Sequence, residues 1–587
     1  MKKLFLSITL LLLAATSLFA VRAKQGICQL QLVDGTIVSA TLHGDENFHY
    51  YTLLDGTPLR EATNGKYQMT SQEELENEFS AAQARMQQTT TATFGASRAS
   101  SIGSILPAYF PHKGSPKALV ILVQFQDVKF KSSDPVATFN HYLNGKAGEA
   151  MPEADKSIFS QKEEHLNYGS VKQYFTDMSH GQFTPQFDIV GPVTVSKNSA
   201  YYGGNGSARD GADLHFVDMM TEACQLMDNN IDFADYDSNG DKYVDLVYFI
   251  YAGYSESISG NSSDCLWPKS GTASIGTFDD VHVSRFGINN ELNGTPKDKS
   301  IKINGIGLFC HEFSHTLGLP DLYPTDKYNL SATANNQSPE YWDLMDMGCY
   351  QQNGYCPIPY SPWEKSMMEW VQPTTLSSTE PQQITLKPYD IASEALKIEA
   401  KTDGEYLLLQ NIRNEKWYKE AFGYGMLVWR IDYADKAYVR LGDNPNDTAG
   451  KPRVMIVPAD GLVINSANVR DNGTYTYDVY TLSLENDPFP IYKEGSATEY
   501  EVNSLTSVQL NHSTLTTRPL YNIVKDEETG MVTFDYLKDF SATGIQEAII
   551  DNSQSKPTAY FTLEGVRVQT PQKGHLYITN KGKKIIF

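Results

Sequence analysis

The sequence predicts a multidomain chain in which a central α+β domain is preceded by a smaller α+β segment and followed by a β-sandwich-like domain and a short β-rich tail. Three observations carry that prediction. The chain has 587 residues, 41% of them apolar, enough for roughly three to five separate cores. Its middle alternates continuous apolar runs with helix-period patterns. Beyond Pro373 the texture changes to short alternating strands rich in turn residues.

Residues 1–20 read as an export signal. Lys2 and Lys3 give a positive start, 4–13 is apolar, and small residues lead to Ala20, with cleavage expected after Ala20 or Ala23. That run is too short to span a membrane, and nothing later approaches the roughly 20 apolar residues a span needs. The expectation is a secreted or cell-surface monomer with no transmembrane segment. A net charge of −22 and a pI near 5.0 exclude a phosphate-tracking nucleic-acid binder and a cationic membrane-surface protein, both of which need clustered Lys and Arg. The six cysteines are few for this length. Cys349 and Cys356, on either side of Gly354, are spaced to close a small loop, with buried free thiols as the alternative.

Residues 21–105 form the second unit. Val33-Asp34-Gly35-Thr36 and Leu54-Asp55-Gly56-Thr57 are turn signals between alternating apolar residues, and Ser71 with Glu74 makes a capping box that starts a helix. The Thr- and Ser-rich stretch that follows has too few apolar residues to pack. A segment before such a linker on an exported protein reads as a removable prosegment. The third unit, 106–375, holds buried strands at 118–123 and 244–252 and helices at 170–179, 212–227 and 305–319. The fourth, 376–540, is β-rich and includes Tyr406-Leu407-Leu408-Leu409 and Met426-Leu427-Val428-Trp429. The tail is 541–587.

The informative stretch is Phe309-Cys310-His311-Glu312-Phe313-Ser314-His315-Thr316-Leu317-Gly318-Leu319-Pro320-Asp321. Residues four apart share a helix face, so His311 and His315 can turn imidazole nitrogens onto one zinc ion, while Glu312 sits beside it as a general base. Gly318 stands where a helix ends in a left-handed turn, and such a turn brings Asp321 back as third ligand. This is the extended zinc pattern of the metzincins with Asp in the last place. Trp342-Asp343-Leu344-Met345-Asp346-Met347-Gly348 is the candidate for their methionine turn, with Met345 the preferred residue and Met347 the fallback. Glu340 or Glu364 would supply the third ligand in a competing scheme. Tyr350 and Tyr355 are candidates for oxyanion support. A second cation site is suggested by Asp235, Asp237, Asn239, Asp241 and Asp245, which begin as a calcium loop but lack the closing glutamate, Leu246 standing in its place. An Asx-rich turn that binds nothing is the competing reading.

These residues, together with Gly169-Ser170-Val171 through Tyr174, Gly191-Pro192-Val193 and Trp363-Glu364-Lys365, make the chain resemble the immune inhibitor A-like family of secreted bacterial metallopeptidases. Similarity continues at 405–413 and 423–432. The resemblance implies a metzincin-like peptidase domain, a zymogen with an N-terminal prosegment, zinc on His311, His315 and Asp321, Glu312 as base, and structural calcium. The segment 559–587 is similar to tails that direct export through an outer-membrane sorting system. The function read from the sequence is a secreted zinc endopeptidase that hydrolyses protein or peptide substrates with metal-activated water. The alternative is a surface adhesin or carbohydrate-binding protein with a vestigial peptidase domain.

Overall fold

The buried strands assemble into one six-stranded sheet. In the computed structural model they are β1 (Ser17–Phe19), β2 (Lys117–Gln124), β3 (Gln186–Thr194), β4 (Val247–Tyr251), β5 (Lys269–Phe278) and β6 (Val281–Asn290), in the order β1-β5-β6-β4-β2-β3. The structure describes residues 17–541 and 560–586, apart from 20, 25, 63–64, 91–109, 206–212, 326–337, 390–393, 434–443, 471–474, 497–498, 563–566, 569, 571, 574–575 and 580–583. The export signal therefore lies outside the described residues, except for the backbone of β1, and so does the linker beyond Thr90.

Side-chain alternation along β2 feeds both faces of the sheet. Ala118, Val120 and Leu122 join the core that contains Phe309 and Phe313, whereas Leu119, Ile121 and Val123 join the core that contains Met219, Met220 and Ala223. The sheet is thus covered on one face by helices Val171–Met178 and Ile306–Thr316 and on the other by helix Phe216–Met227. β2, β3, β4 and β6 pair in parallel, and β5 and β1 add antiparallel strands at one edge. Ser170 caps its helix by accepting from the Gln173 N–H, and Gly181 follows at φ +78°. The helix expected from 212 starts instead at Phe216, leaving Leu214 exposed ahead of it.

The N-terminal unit is a five-stranded sheet, from Ile27–Gln31 to Tyr67–Met69, followed by helix Gln72–Thr90. Its two turn signals close hairpins in which Asp34 accepts from the Thr36 N–H and Asp55 from the Thr57 N–H. Ser71 and Glu74 exchange the reciprocal bonds of a capping box. In the C-terminal region, strands Glu405–Ile412 and Gly425–Asp432 pair antiparallel in a five-stranded sheet, which shares a core with a three-stranded sheet. A four-stranded sheet is built from strands between Tyr560 and Ile586. The fold is therefore mixed α/β with several sheets. All six cysteines are free thiols; Cys349 and Cys356 are both buried and do not form the small loop. No helix among the described residues is long and apolar enough to cross a membrane.

The N-terminal sheet docks through His49, whose ring stacks on Trp267 at 4.7 Å and whose Nε2 lies 3.0 Å from Glu256 Oε1. Burial opposes the charge on His49, but Glu256 more than offsets it and raises its pKa. Burial lifts Glu256 to about 7. Each folded pKa lies above its ordinary value, about 4.5 for Glu and 6.5 for His, so the folded pair binds more protons than the unfolded one and stability falls as pH rises. The His49 contribution is complete below about 6.5 and is lost as pH passes its raised folded value. Resistance of the N-terminal unit to limited proteolysis is expected to decline as pH rises from about 4.5 through about 7 and past the raised His49 value, and His49→Ala to remove the later part of that decline. Equal protection across that range in the unsubstituted chain would contradict the coupling.

Candidate metal centre

All eleven residues of helix Ile306–Thr316 are buried. The sequence permits this because its polar side chains turn inward onto local partners: Ser314 donates to the Cys310 carbonyl and Thr316 to that of Phe313. Glycines allow the close crossing beneath. A Cβ on Gly307 would collide with the Cys349 carbonyl oxygen, and one on Gly348 with the Asp343 carbonyl oxygen and Ile358. The helix ends at Thr316, Gly318 takes φ +104°, and the chain turns back so that Asp321 faces both histidines.

His311 Nδ1 lies 2.9 Å from the Leu344 carbonyl oxygen and His315 Nδ1 2.8 Å from that of Leu319. A carbonyl only accepts, so each Nδ1 carries the proton and each Nε2 presents a lone pair. These two nitrogens lie 3.2 and 3.3 Å from one oxygen, Asp321 Oδ1. Two lone pairs and a carboxylate oxygen converging in a buried site repel one another unless a cation stands among them. Ligands about 2.0–2.1 Å from a tetrahedral zinc ion stand about 3.3–3.4 Å from each other, so the observed separations fit that ion.

Glu312 is fully buried, and its Oε1 accepts the Val21 N–H at 2.8 Å. Burial lifts its pKa to about 8; Asp321 adds to the rise, while His311 and the Val21 N–H oppose it. Met345 is buried in the turn below the cluster. The carbonyl of its neighbour Leu344 holds His311, and its own carbonyl accepts from the Leu322 N–H at 2.9 Å. Met347 is buried in the same turn. Tyr355 donates to the Ile303 carbonyl, whereas Tyr350 donates to the carbonyl of Arg22. Glu364 caps its own helix through Ser361, and Glu340 hydrogen-bonds Ser338 and Tyr480, so neither joins the cluster. In the acidic loop, Asp237 accepts from the N–H groups of Gly240, Asp241 and Lys242, and Asn239 and Asp241 also bond backbone. Asp245 accepts from Ser238, Arg285 reaches both Asp241 and Asp245, and Asp235 lies in a short 3-10 turn.

Sequence reasoning missed the strip that crosses the site. β1 pairs antiparallel with β5, Val21 then meets Glu312, its carbonyl accepts from Trp267 Nε1 at 3.0 Å, and Lys24 bonds the Ser257 carbonyl. No local pattern signals contacts between residues almost 300 positions apart. A second three-residue group among the described residues, Glu405, Asp432 and His512, has its carboxylates engaged by Ser513, Asn511 and His512 itself.

Residues 108–373 match the family model described as "Immune inhibitor A peptidase M6, catalytic domain". This segment is similar to the catalytic domain of the M6 peptidases. Similar proteins include the pre-pro-metalloprotease PrtV of Vibrio cholerae serotype O1, 25% identical over 311 residues, covering 47% of this chain and 33% of that protein. Immune inhibitor A of Bacillus thuringiensis subsp. alesti is 26% identical over 288 residues, covering 43% of this chain and 39% of the relative. The chain thus spans between a third and two-fifths of the length of these relatives. Similarity to metallopeptidases points to a metal ion, and the cluster holds donors suited to one.

The crossing at Gly307 sets where His311 meets Leu344. Gly307→Ala is expected to cost about 1–3 kcal/mol through overpacking, read as a lower denaturant midpoint, and to reduce bound metal measured by elemental analysis. Unchanged midpoint and metal content would contradict that role.

Proposed function

We propose that this chain is a secreted zinc endopeptidase with a metzincin-like site, held latent by its N-terminal unit. One observation carries the reading: two imidazole Nε2 atoms converge on Asp321 Oδ1 at 3.2 and 3.3 Å, with the buried carboxyl of Glu312 on the same helix. The names of the relatives, a metalloprotease and an immune inhibitor, support a proteolytic role.

In this reading His311, His315 and Asp321 hold the ion, and Met345 packs beneath them. When bound, zinc supplies Lewis-acid activation of water and of the scissile carbonyl. Glu312 takes the proton of the attacking water and delivers it to the departing amine. Burial favours the protonated carboxyl and a cation held by its neighbours would favour the carboxylate, so the two opposing influences suit a group that takes and returns a proton. Tyr350 lines the same path through its bond to the N-terminal strip and is the better placed of the two tyrosines for oxyanion support. The two-sheet region after the M6 segment reads as a sandwich-like accessory domain, and the final four-stranded sheet as an export tail.

Glu312→Ala is expected to retain zinc while peptide cleavage falls by at least about 10²–10⁴-fold, measured with a quenched fluorogenic peptide library and elemental analysis in parallel. Cleavage at the unsubstituted rate would remove Glu312 from the mechanism. Calcium is proposed at 235–245 on the strength of its oxygen-rich composition. Calcium should then raise the melting temperature by a few degrees, and Asp237→Asn should abolish the increment; no calcium-dependent shift would leave the loop as an Asx-rich turn.

A further inference from the structure

Arg22 is 3% exposed, and its guanidinium is enclosed by groups from distant parts of the chain. Nη1 lies 3.4 Å from Glu340 Oε1 and 3.3 Å from Asp346 Oδ1, and Nη2 donates to Asn465 Oδ1 at 2.9 Å. Tyr480 donates to the second oxygen of Glu340 at 2.9 Å, and the Glu340 N–H donates to Asp346 at 2.7 Å. Both carboxylates belong to the stretch that leads into the turn under the metal cluster, so the pocket stays with the site whatever becomes of the N-terminal strip. Glu340 takes φ +52°, a left-handed conformation that a glutamate adopts only where its surroundings dictate it.

Two adjoining buried carboxylates need a cation, since removing one partner of a buried ion pair leaves uncompensated charge. The acceptors suit arginine better than lysine: Nη1 faces both acids while Nη2 reaches the amide, two fixed donor positions that a single ammonium nitrogen does not supply. The strip also has a peptide's register. In the uncleaved chain its main chain runs antiparallel to β5 through Phe19, and Glu312 holds the Val21 N–H, the group that corresponds to the departing amine of a cleaved bond; export cleavage after Ala20 would remove β1 and leave Val21 and Arg22 in place. Val21 therefore stands first on the amine side and Arg22 second.

We propose that the pocket formed by Glu340, Asp346 and Asn465 is a specificity subsite that selects arginine as the second residue on the amine side of the scissile bond, and that Arg22 fills it as a resident mimic. This rests on the peptidase reading above. The test uses the chain from residue 21 on, as export cleavage after Ala20 would leave it, with residues 21–24 replaced by a glycine–serine tract of equal length, which clears the cleft. Peptides that differ only at the second amine-side position carry arginine, its neutral isostere citrulline, lysine or leucine. Arginine should exceed citrulline at least tenfold in kcat/KM, with lysine between them. Glu340→Gln or Asp346→Asn in that background should bring the arginine-to-citrulline ratio towards one, with thermal unfolding recorded to confirm folding. In parallel, fluorescein-labelled Val-Arg-Ala-Lys should bind at least tenfold more tightly than its citrulline form by anisotropy. Cleavage indifferent to arginine would overturn the subsite and leave the peptidase reading standing. No cleavage with arginine-selective binding would sink the peptidase reading and keep the pocket. Neither cleavage nor selective binding would overturn both.

Discussion

Both imidazoles commit their Nδ1 protons to main-chain carbonyls, and the arrangement of the site follows from that commitment. Leu344 lies in the turn under the helix and Leu319 in the turn beyond it, so each histidine is oriented by a different piece of backbone. A cluster oriented in this way is preorganised: the lone pairs converge because the carbonyls behind them are fixed, and the carbonyls are fixed because glycines let the helix and the turn touch. Packing and chemistry are one constraint here.

The burial of the helix has an electrostatic counterpart. A carboxyl with no water around it holds its proton more tightly, and Glu312 shares its surroundings with aromatic rings such as Tyr248, which stacks on Phe309 at 4.0 Å. The same low-dielectric setting strengthens the field of any ion bound nearby. The sheet supplies the wall, the helix supplies the donors, and the N-terminal strip supplies the N–H that Glu312 accepts.

What could be read from the sequence was local. The spacing of His311 and His315, the left-handed Gly318 and the return to Asp321 depend on helical period and one backbone conformation, both written into eleven consecutive residues. The Ser71–Glu74 capping box and the two Asx turns were legible for the same reason. Helix Phe216–Met227 was placed too early because an apolar Leu214 fits the period without being buried. The pocket around Arg22 joins residues more than 300 positions apart and leaves no periodic trace. In the acidic loop, sequence spacing alone cannot distinguish carboxylates that ligate from carboxylates that bond their own backbone, and Arg285, some 40 residues on, enters that competition from β6.

β1 is the outermost strand of its sheet. Lifting it away leaves the hydrogen-bonding rim of β5 unsatisfied along Ser270–Thr272, a template for any extended polypeptide of suitable direction. Such a rim reads amide and carbonyl groups, which all sequences share. Discrimination then has to come from the few places where a side chain enters a shaped hollow, and elsewhere the cleft accepts whatever main chain is laid along it.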